Sequence, residues 1–234
     1  MSTIDVISTI RERIQCRFPL LFLSTWEEER WENELATLAL DMERGLVVWS
    51  FTEGASPALD TSDEVGSEAD RTPIEFLKQL RDYPRDHVFL LKDFHPFLAD
   101  AVIVRLLRDL IPTLVEQRKT ILFMSPEIEI PVELRRDALG LDLPLPGLSE
   151  LREELQELLI QRQHNGEPHL HLTAPQQERL LKTVLGLTAR QARQSLARAL
   201  LGRSELSDSV YALLISEKAQ MVQGSDLLEF QPLS

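Results

Sequence analysis

Four groups of side chains in this sequence have types and spacings that suit chemistry. The first is LLFLSTWEEERWENEL, residues 20–35, where an apolar run breaks at Ser24-Thr25 and opens into a helix-like pattern. A strand that turns into a helix is a place where backbone N–H groups cradle phosphate, helped by the helix dipole. Here Glu27, Glu28 and Glu29 occupy that place. Carboxylates at a helix N-terminus suit the dipole, and for the same reason they oppose a triphosphate. A phosphate loop also needs close-set glycines followed by Lys and Ser or Thr. No Gly-x-x-x-x-Gly-Lys occurs, and no two glycines lie within six residues of each other. These residues alone predict a capped helix with a solvated acidic face, Thr25 as N-cap and Glu28 completing a capping box.

The second group is Lys92-Asp93-Phe94-His95, which ends the apolar run at residues 88–91. An Asp at the end of a buried strand can hold magnesium in nucleotide hydrolases, and a base must then activate water. Phe94 stands where that base would follow, and Pro96 after His95 favours a helix entry over catalysis. The third group is the set His164, His169 and His171, in which the rings of His169 and His171 share one side if the segment is extended. With Glu167 the only carboxylate close by, a polar loop is the better reading than a metal site. The fourth group is Arg190, Arg193 and Arg198 in a helical pattern with Leu and Ala. It suits contact with an acidic surface better than a DNA-reading helix, because the two-helix context with a glycine turn is missing.

The elements that must position these groups alternate in the first half. Strands are expected at residues 20–23, 46–50, 87–91 and 120–124. An N-terminal amphipathic helix and helices over about 26–44, 73–80 and 96–115 come with them, Gly45 ending the second helix. Strands separated by helix-length segments imply βαβ units and a mainly parallel sheet. Residues 52–72 are acidic and poor in large apolar groups, which reads as a mobile surface loop. After Leu143-Pro144-Leu145-Pro146-Gly147 the pattern is helical at 149–163, 174–185, 188–201 and 207–222, with Ser149 and Thr188 as N-caps. That part is too short for a large core of its own.

The 234 residues are 43% hydrophobic and 27% charged, an ordinary globular profile. The lone cysteine, Cys16, excludes an internal disulfide and suits a reducing compartment as a small structural side chain. No apolar run is long enough to span a bilayer and no signal peptide pattern opens the chain, so the expected location is the cytoplasm. The formal net charge of −13 is unevenly spread: residues 27–70 hold thirteen acids and two bases, residues 173–203 six bases and one acid. One end repels polyanions and the other attracts them, but the acidic total argues against a nucleic-acid partner.

Several runs together resemble a family of AAA-type ATPases of cyanobacteria and algal plastids, named after hypothetical chloroplast reading frame forty-six. The most specific are Thr25-Trp26-Glu27-Glu28-Glu29-Arg30 and Lys92-Asp93-Phe94-His95-Pro96-Phe97-Leu98. Val48-Trp49-Ser50, Asp142-Leu143-Pro144-Leu145-Pro146, Leu185-Gly186-Leu187-Thr188 and Leu227-Leu228-Glu229-Phe230 support them. The resemblance runs nearly end to end with the region that precedes the ATPase module in that family, and implies either the N-terminal part of a longer ATPase or a short relative lacking that module. It implies a degenerate AAA-like, P-loop-NTPase-like α/β core at residues 1–147 and a small all-helical lid-like subdomain at 148–234. Ser125 stands where an active core has a polar sensor such as Asn. Arg135 and Arg136 lie near the place of inter-subunit arginines, and Arg190 near that of lid arginines.

The resulting expectation is a catalytically inactive module for assembly or regulation of an AAA-type ATPase, with Asp93 as the remnant of a magnesium site. Its interaction candidates are Arg190, Arg193, Arg198, Arg135, Arg136, Glu27, Glu28 and Glu29. The expected partners are further copies of the chain or a C-terminal ATPase module. No cofactor is expected for this chain, with ATP and magnesium entering only if an ATPase module follows. Two alternatives stay open: a nucleotide-binding ATPase with a non-canonical site, and a binder of acidic partners or nucleic acid through the basic lid.

Overall fold

Four strands in this chain carry large apolar side chains at consecutive positions, and period-two alternation sends them to two different cores. In β1 (Leu20–Ser24) Leu20 and Phe22 enter one cluster, while Leu21 and Leu23 enter another. β2 (Gly45–Ser50), β4 (His87–Lys92) and β5 (Thr120–Ser125) divide in the same way, with Trp49, Phe89 and Phe123 on the first side and Val48, Leu90 and Met124 on the second. A sheet buried on both faces needs helices on both faces, and three layers follow. The computed structural model describes residues 2–57 and 72–229, the last eight of these by backbone alone.

α1 (Thr3–Gln15) and α2 (Glu28–Asp41) cover the second face through Val6, Ile10, Ile14, Trp31 and Leu35. α3 (Pro73–Gln79) and α4 (Ala101–Gln117) cover the first through Phe76, Leu77, Leu107, Leu110 and Leu114. The sheet order is β3-β2-β4-β5-β1-β6, parallel throughout except where β3 (Gly54–Pro57) runs against β2. β6 (Ala138–Asp142) closes the other edge beside β1, in register Leu20↔Ala138.

The structure moves several boundaries. Residues 54–57, expected within a loop, form the edge strand β3 because their backbone completes the free side of β2. The rest of the expected acidic loop, residues 58–71, lies outside the described residues. The helix expected at 96–115 is two elements, a 3-10 turn at His95–Ala99 and then α4. Asp100 separates them in an extended conformation and caps α4 by accepting the Val102 N–H at 2.8 Å. Gly45 is not the stop of α2. The left-handed residue there is Glu43, at φ 53°. Gly45 instead opens β2, where the His87 imidazole lies 2.4 Å from the place of a Cβ.

The chain divides into two compact units, Met1–Pro144 and Leu145–Ser234. The second is helical: α5 (Leu148–His164), α6 (Ala174–Val184), α7 (Ala189–Leu200) and α8 (Asp208–Glu229). Its core is a separate cluster built from Leu151, Leu155, Leu180, Val184, Leu196 and Leu214. α7 starts at Thr188, whose hydroxyl accepts the Gln191 N–H while the Gln191 amide accepts the Thr188 N–H, as the spacing predicts. α5 starts one residue before its predicted cap: its N-cap is Gly147, whose N–H donates to Glu150 at 2.8 Å.

Candidate functional site

Adjacent parallel strands whose chains leave toward opposite faces open a crevice at their carboxyl ends. β1 and β5 are such a pair, since β1 leads to α2 on the second face and β5 to Ile128, Ile130 and Leu134 on the first. Groups singled out in the sequence lie at this edge: Thr25 to Arg30 after β1, Asp93 after β4, and Ser125 at the end of β5.

The turn from β1 to α2 is short. Thr25, Trp26 and Glu27 alone separate the strand from the helix. The Thr25 N–H donates to the Ser125 carbonyl at 3.0 Å, and the Glu27 N–H donates to Thr25 Oγ1 at 3.0 Å. Two of the amides that a phosphate would need are therefore already bonded. The Leu143 N–H donates to the Ser24 carbonyl at 2.9 Å and the Asp93 N–H to the Met124 carbonyl at 2.9 Å, so the loops after β1, β4, β5 and β6 are joined by main chain.

Thr25 does not cap α2, because its hydroxyl is engaged within the turn and the N-cap residue is Glu27. Nor is the acidic face wholly solvated. The Glu27 side chain is 5% exposed and pairs with Arg30, one helical turn on. The Arg30 guanidinium also donates to the Pro144 carbonyl at 3.0 Å and to Thr3 Oγ1 at 3.0 Å. One arginine thus ties α1, α2 and the segment after β6 together. Glu28 and Glu32 each reach Lys92 Nζ at 2.9 Å. Burial pulls the Lys92 pKa down, but the hydrogen bonds and charges of the two glutamates outweigh it and hold the pKa above the ordinary value. Glu29 and Trp26 are left exposed, Trp26 at 76%.

Asp93 is exposed and left-handed at φ 49°. Phe94 beside it is fully buried, with its ring 5.4 Å from those of Trp49, Phe97 and Phe123. Ser125 is buried and its hydroxyl donates to the Glu127 carbonyl. Arg135 and Arg136 are exposed in the segment between β5 and β6.

The basic helix of the second unit is not one surface. Arg193 donates to Glu154 at 2.9 Å, to Glu157 at 3.2 Å and to Gln161 at 3.1 Å, all on α5. The Glu154 hydrogen bond is the main cause that raises its pKa. Arg198 pairs at 2.6 Å with Glu217 on α8, a carboxylate only 7% exposed. Arg190 is exposed and forms no ion pair among the described residues. His169 and His171 do share a side, with ring centroids 5.4 Å apart. Among the described residues no group of three His, Cys, Asp or Glu could hold a metal ion. None of the helices among those residues is long and apolar enough to cross a membrane. Cys16 is exposed at the C-terminus of α1.

Sequence reading missed the two cations that organise the edge, Arg30 and Lys92. A signal was present: Glu27 and Arg30 are three apart, and Glu28 and Glu32 four apart, so each pair shares a helix face.

The comparisons with known proteins agree with this architecture. Residues 6–143 match the N-terminal domain of SpoVK-like AAA ATPases, and residues 149–225 match the second domain of the same proteins. The AAA domain-containing protein ycf46 of Pyropia yezoensis is 29% identical over 96% of this chain and 44% of its own length. That of Guillardia theta is 30% identical over 93% of this chain and 42% of its own. The chain therefore spans less than half the length of these relatives. Among solved structures, C. elegans PCH-2 aligns over 94% of this chain and 68% of its own with a TM-score of 0.54 at 12% identity. A Thermotoga maritima RuvB variant aligns over 91% and 67% with a TM-score of 0.55 at 14% identity. At such identities these show the fold alone: an AAA-like α/β core with a mostly parallel six-stranded sheet, followed by an all-helical subdomain. The chain belongs to the SpoVK-like AAA ATPase family and corresponds to its N-terminal region.

Proposed function

We propose that this chain is a catalytically inactive AAA-like module that serves assembly or regulation of an AAA-type ATPase. The observation that carries this reading is the turn at Thr25-Trp26-Glu27. Two of its amides, those of Thr25 and Glu27, are bonded to Ser125 and to Thr25 Oγ1, and Arg30 pairs with Glu27 and donates to the Pro144 carbonyl. A phosphate arriving there would meet carboxylates and occupied donors in place of a glycine cradle. The buried ring of Phe94 supports the same reading, since a catalytic base after Asp93 would need an exposed polar side chain.

In this reading the partners are further copies of the chain or an ATPase module that follows it. Exposed Glu29, Arg135 and Arg136 in the first unit and exposed Arg190 in the second are candidates for such contacts. Heterologous contacts between unlike faces build rings when the rotation closes. Reversing Arg190, Arg193 and Arg198 together would also cut α7 from α5 and α8, so Arg190→Glu alone isolates the surface charge. Sedimentation at low salt, of the chain alone and mixed with an AAA ATPase module of a ycf46 relative, tests this. Weaker association of Arg190→Glu is expected, and identical profiles for the variant and the parent chain would count against the docking role.

A further inference from the structure

The histidine pair that the proposed function leaves unused stands at a cavity in the second unit. The cavity measures about 290 Å³ and lies among the end of α5, the segment before α6, and α6 itself, lined by Arg162, Gln163, His169, His171 and Gln177 with leucines behind them. Arg162 is only 4% exposed. Two edges of its guanidinium are fixed: Nε donates to Glu167 at 3.0 Å and Nη2 to the Arg203 carbonyl at 3.0 Å. Glu167 is in turn held by the Gly202 N–H at 3.3 Å. Nη1 is buried and has no acceptor.

A buried donor without an acceptor is costly, more so on a charged group, and such groups in folded proteins mark the place of a water or an ion. The guanidinium fork matches the oxygens of a carboxylate or a phosphate. Glu167 offsets the charge of Arg162 but leaves the Nη1 hydrogens free. At the mouth two exposed imidazoles lie with their centroids 5.4 Å apart and offer further N–H donors to the same volume. A cation has no comparable lining here, since the described lining residues include no carboxylate and Glu167, bonded to Arg162, also accepts from the Gly202 amide. The volume is at the lower end of small-ligand sites, which run from roughly 300 Å³ upward.

We propose that this cavity binds a small oxyanion, a phosphate or a short carboxylate, between Arg162 and the His169–His171 pair. Binding would rigidify the turn from α5 to α6, because the ligand joins Arg162 on the first helix to the segment leading into the second.

The test is a titration of the whole chain with sodium phosphate, and separately with acetate and succinate, at constant ionic strength. The readout is the imidazole resonances of the five histidines. Saturable shifts of His169 and His171, with His87, His95 and His164 unmoved, are the expected result. The exposed double variant His169→Gln/His171→Gln should bind about tenfold more weakly, the size of one charge-assisted hydrogen bond. A response to phosphate alone or to the carboxylates alone assigns the class of ligand. No saturable shift with any of these anions, or equal affinity in the double variant, overturns the proposal and leaves the cavity to water.

Discussion

The carboxyl edge of the sheet and the basic helix α7 present the same motif in opposite signs. Each reads in the sequence as a charged surface, and in each the structure pairs most of the charge with neighbouring side chains. At the sheet edge Glu27 is buried against Arg30, and Glu28 and Glu32 hold Lys92. On α7, Arg193 and Arg198 are tied to carboxylates of α5 and α8. The difference lies in what surrounds the pairs. The edge sits on a sheet whose two apolar faces carry the stability, with Trp31 and Trp49 fully buried. The helical unit has a core of leucines and alanines among four helices, and its ion pairs join helices directly. Charge at the edge joins α2 to the strand ends and α1, whereas charge on α7 fastens a bundle.

The largest way to break this contrast is to attack the sheet. Trp49 is fully buried and its ring lies 5.6 Å from that of Phe76 and 5.4 Å from that of Phe94. Trp49→Ala should cost about 3–5 kcal/mol in urea denaturation. Arg30→Ala comes next. It removes the cation paired with Glu27, whose side chain is 5% exposed, and frees the Pro144 carbonyl, so a loss of about 3 kcal/mol is expected by the same measurement. If Arg30→Ala were neutral, the pair would be ornament and not a clamp. On α7 the effects are smaller and should differ between neighbours. Arg193→Ala removes contacts from a half-buried side chain and should cost up to about 1 kcal/mol. Arg190→Ala should stay within about 0.5 kcal/mol, as expected of an exposed side chain.

The smallest effect concerns pH. The folded-state pKa of Lys92 lies above the ordinary 10.5, against the downward pull of burial, because Glu28 and Glu32 hold the charged form. A raised pKa contributes stability that is complete below the unfolded value and lost as pH rises through the folded one. The Lys92 link should therefore be constant across neutral pH and fade only above pH 10.5. Alkaline denaturation of the parent chain against Lys92→Met would show it: their difference in stability should be flat at neutral pH and shrink above that point.

Much of the fold was legible because β1, β4 and β5 are continuous apolar runs, which a sheet covered on both sides requires. β6 was not, since Leu139 and Leu141 flank a glycine and are only partly buried at an edge. Thr25 illustrates why the site was less legible than the fold. Thr25 and Glu28 have capping-box spacing, but the Thr25 N–H is drawn to Ser125 and Glu28 to Lys92, residues far along the chain. Local spacing cannot anticipate such partners. Likewise the charges of Arg193 and Arg198 were plain in the sequence, but not that Glu154 and Glu217 face them from neighbouring helices.

The central claim is that the crevice after β1 is closed to phosphate. Titration of this chain with a fluorescent ATP analogue in magnesium, with ADP as competitor, tests it most directly. The account predicts no saturable binding up to millimolar nucleotide. Saturable binding that ADP displaces, and that Arg30→Ala or Asp93→Ala alters, would contradict it.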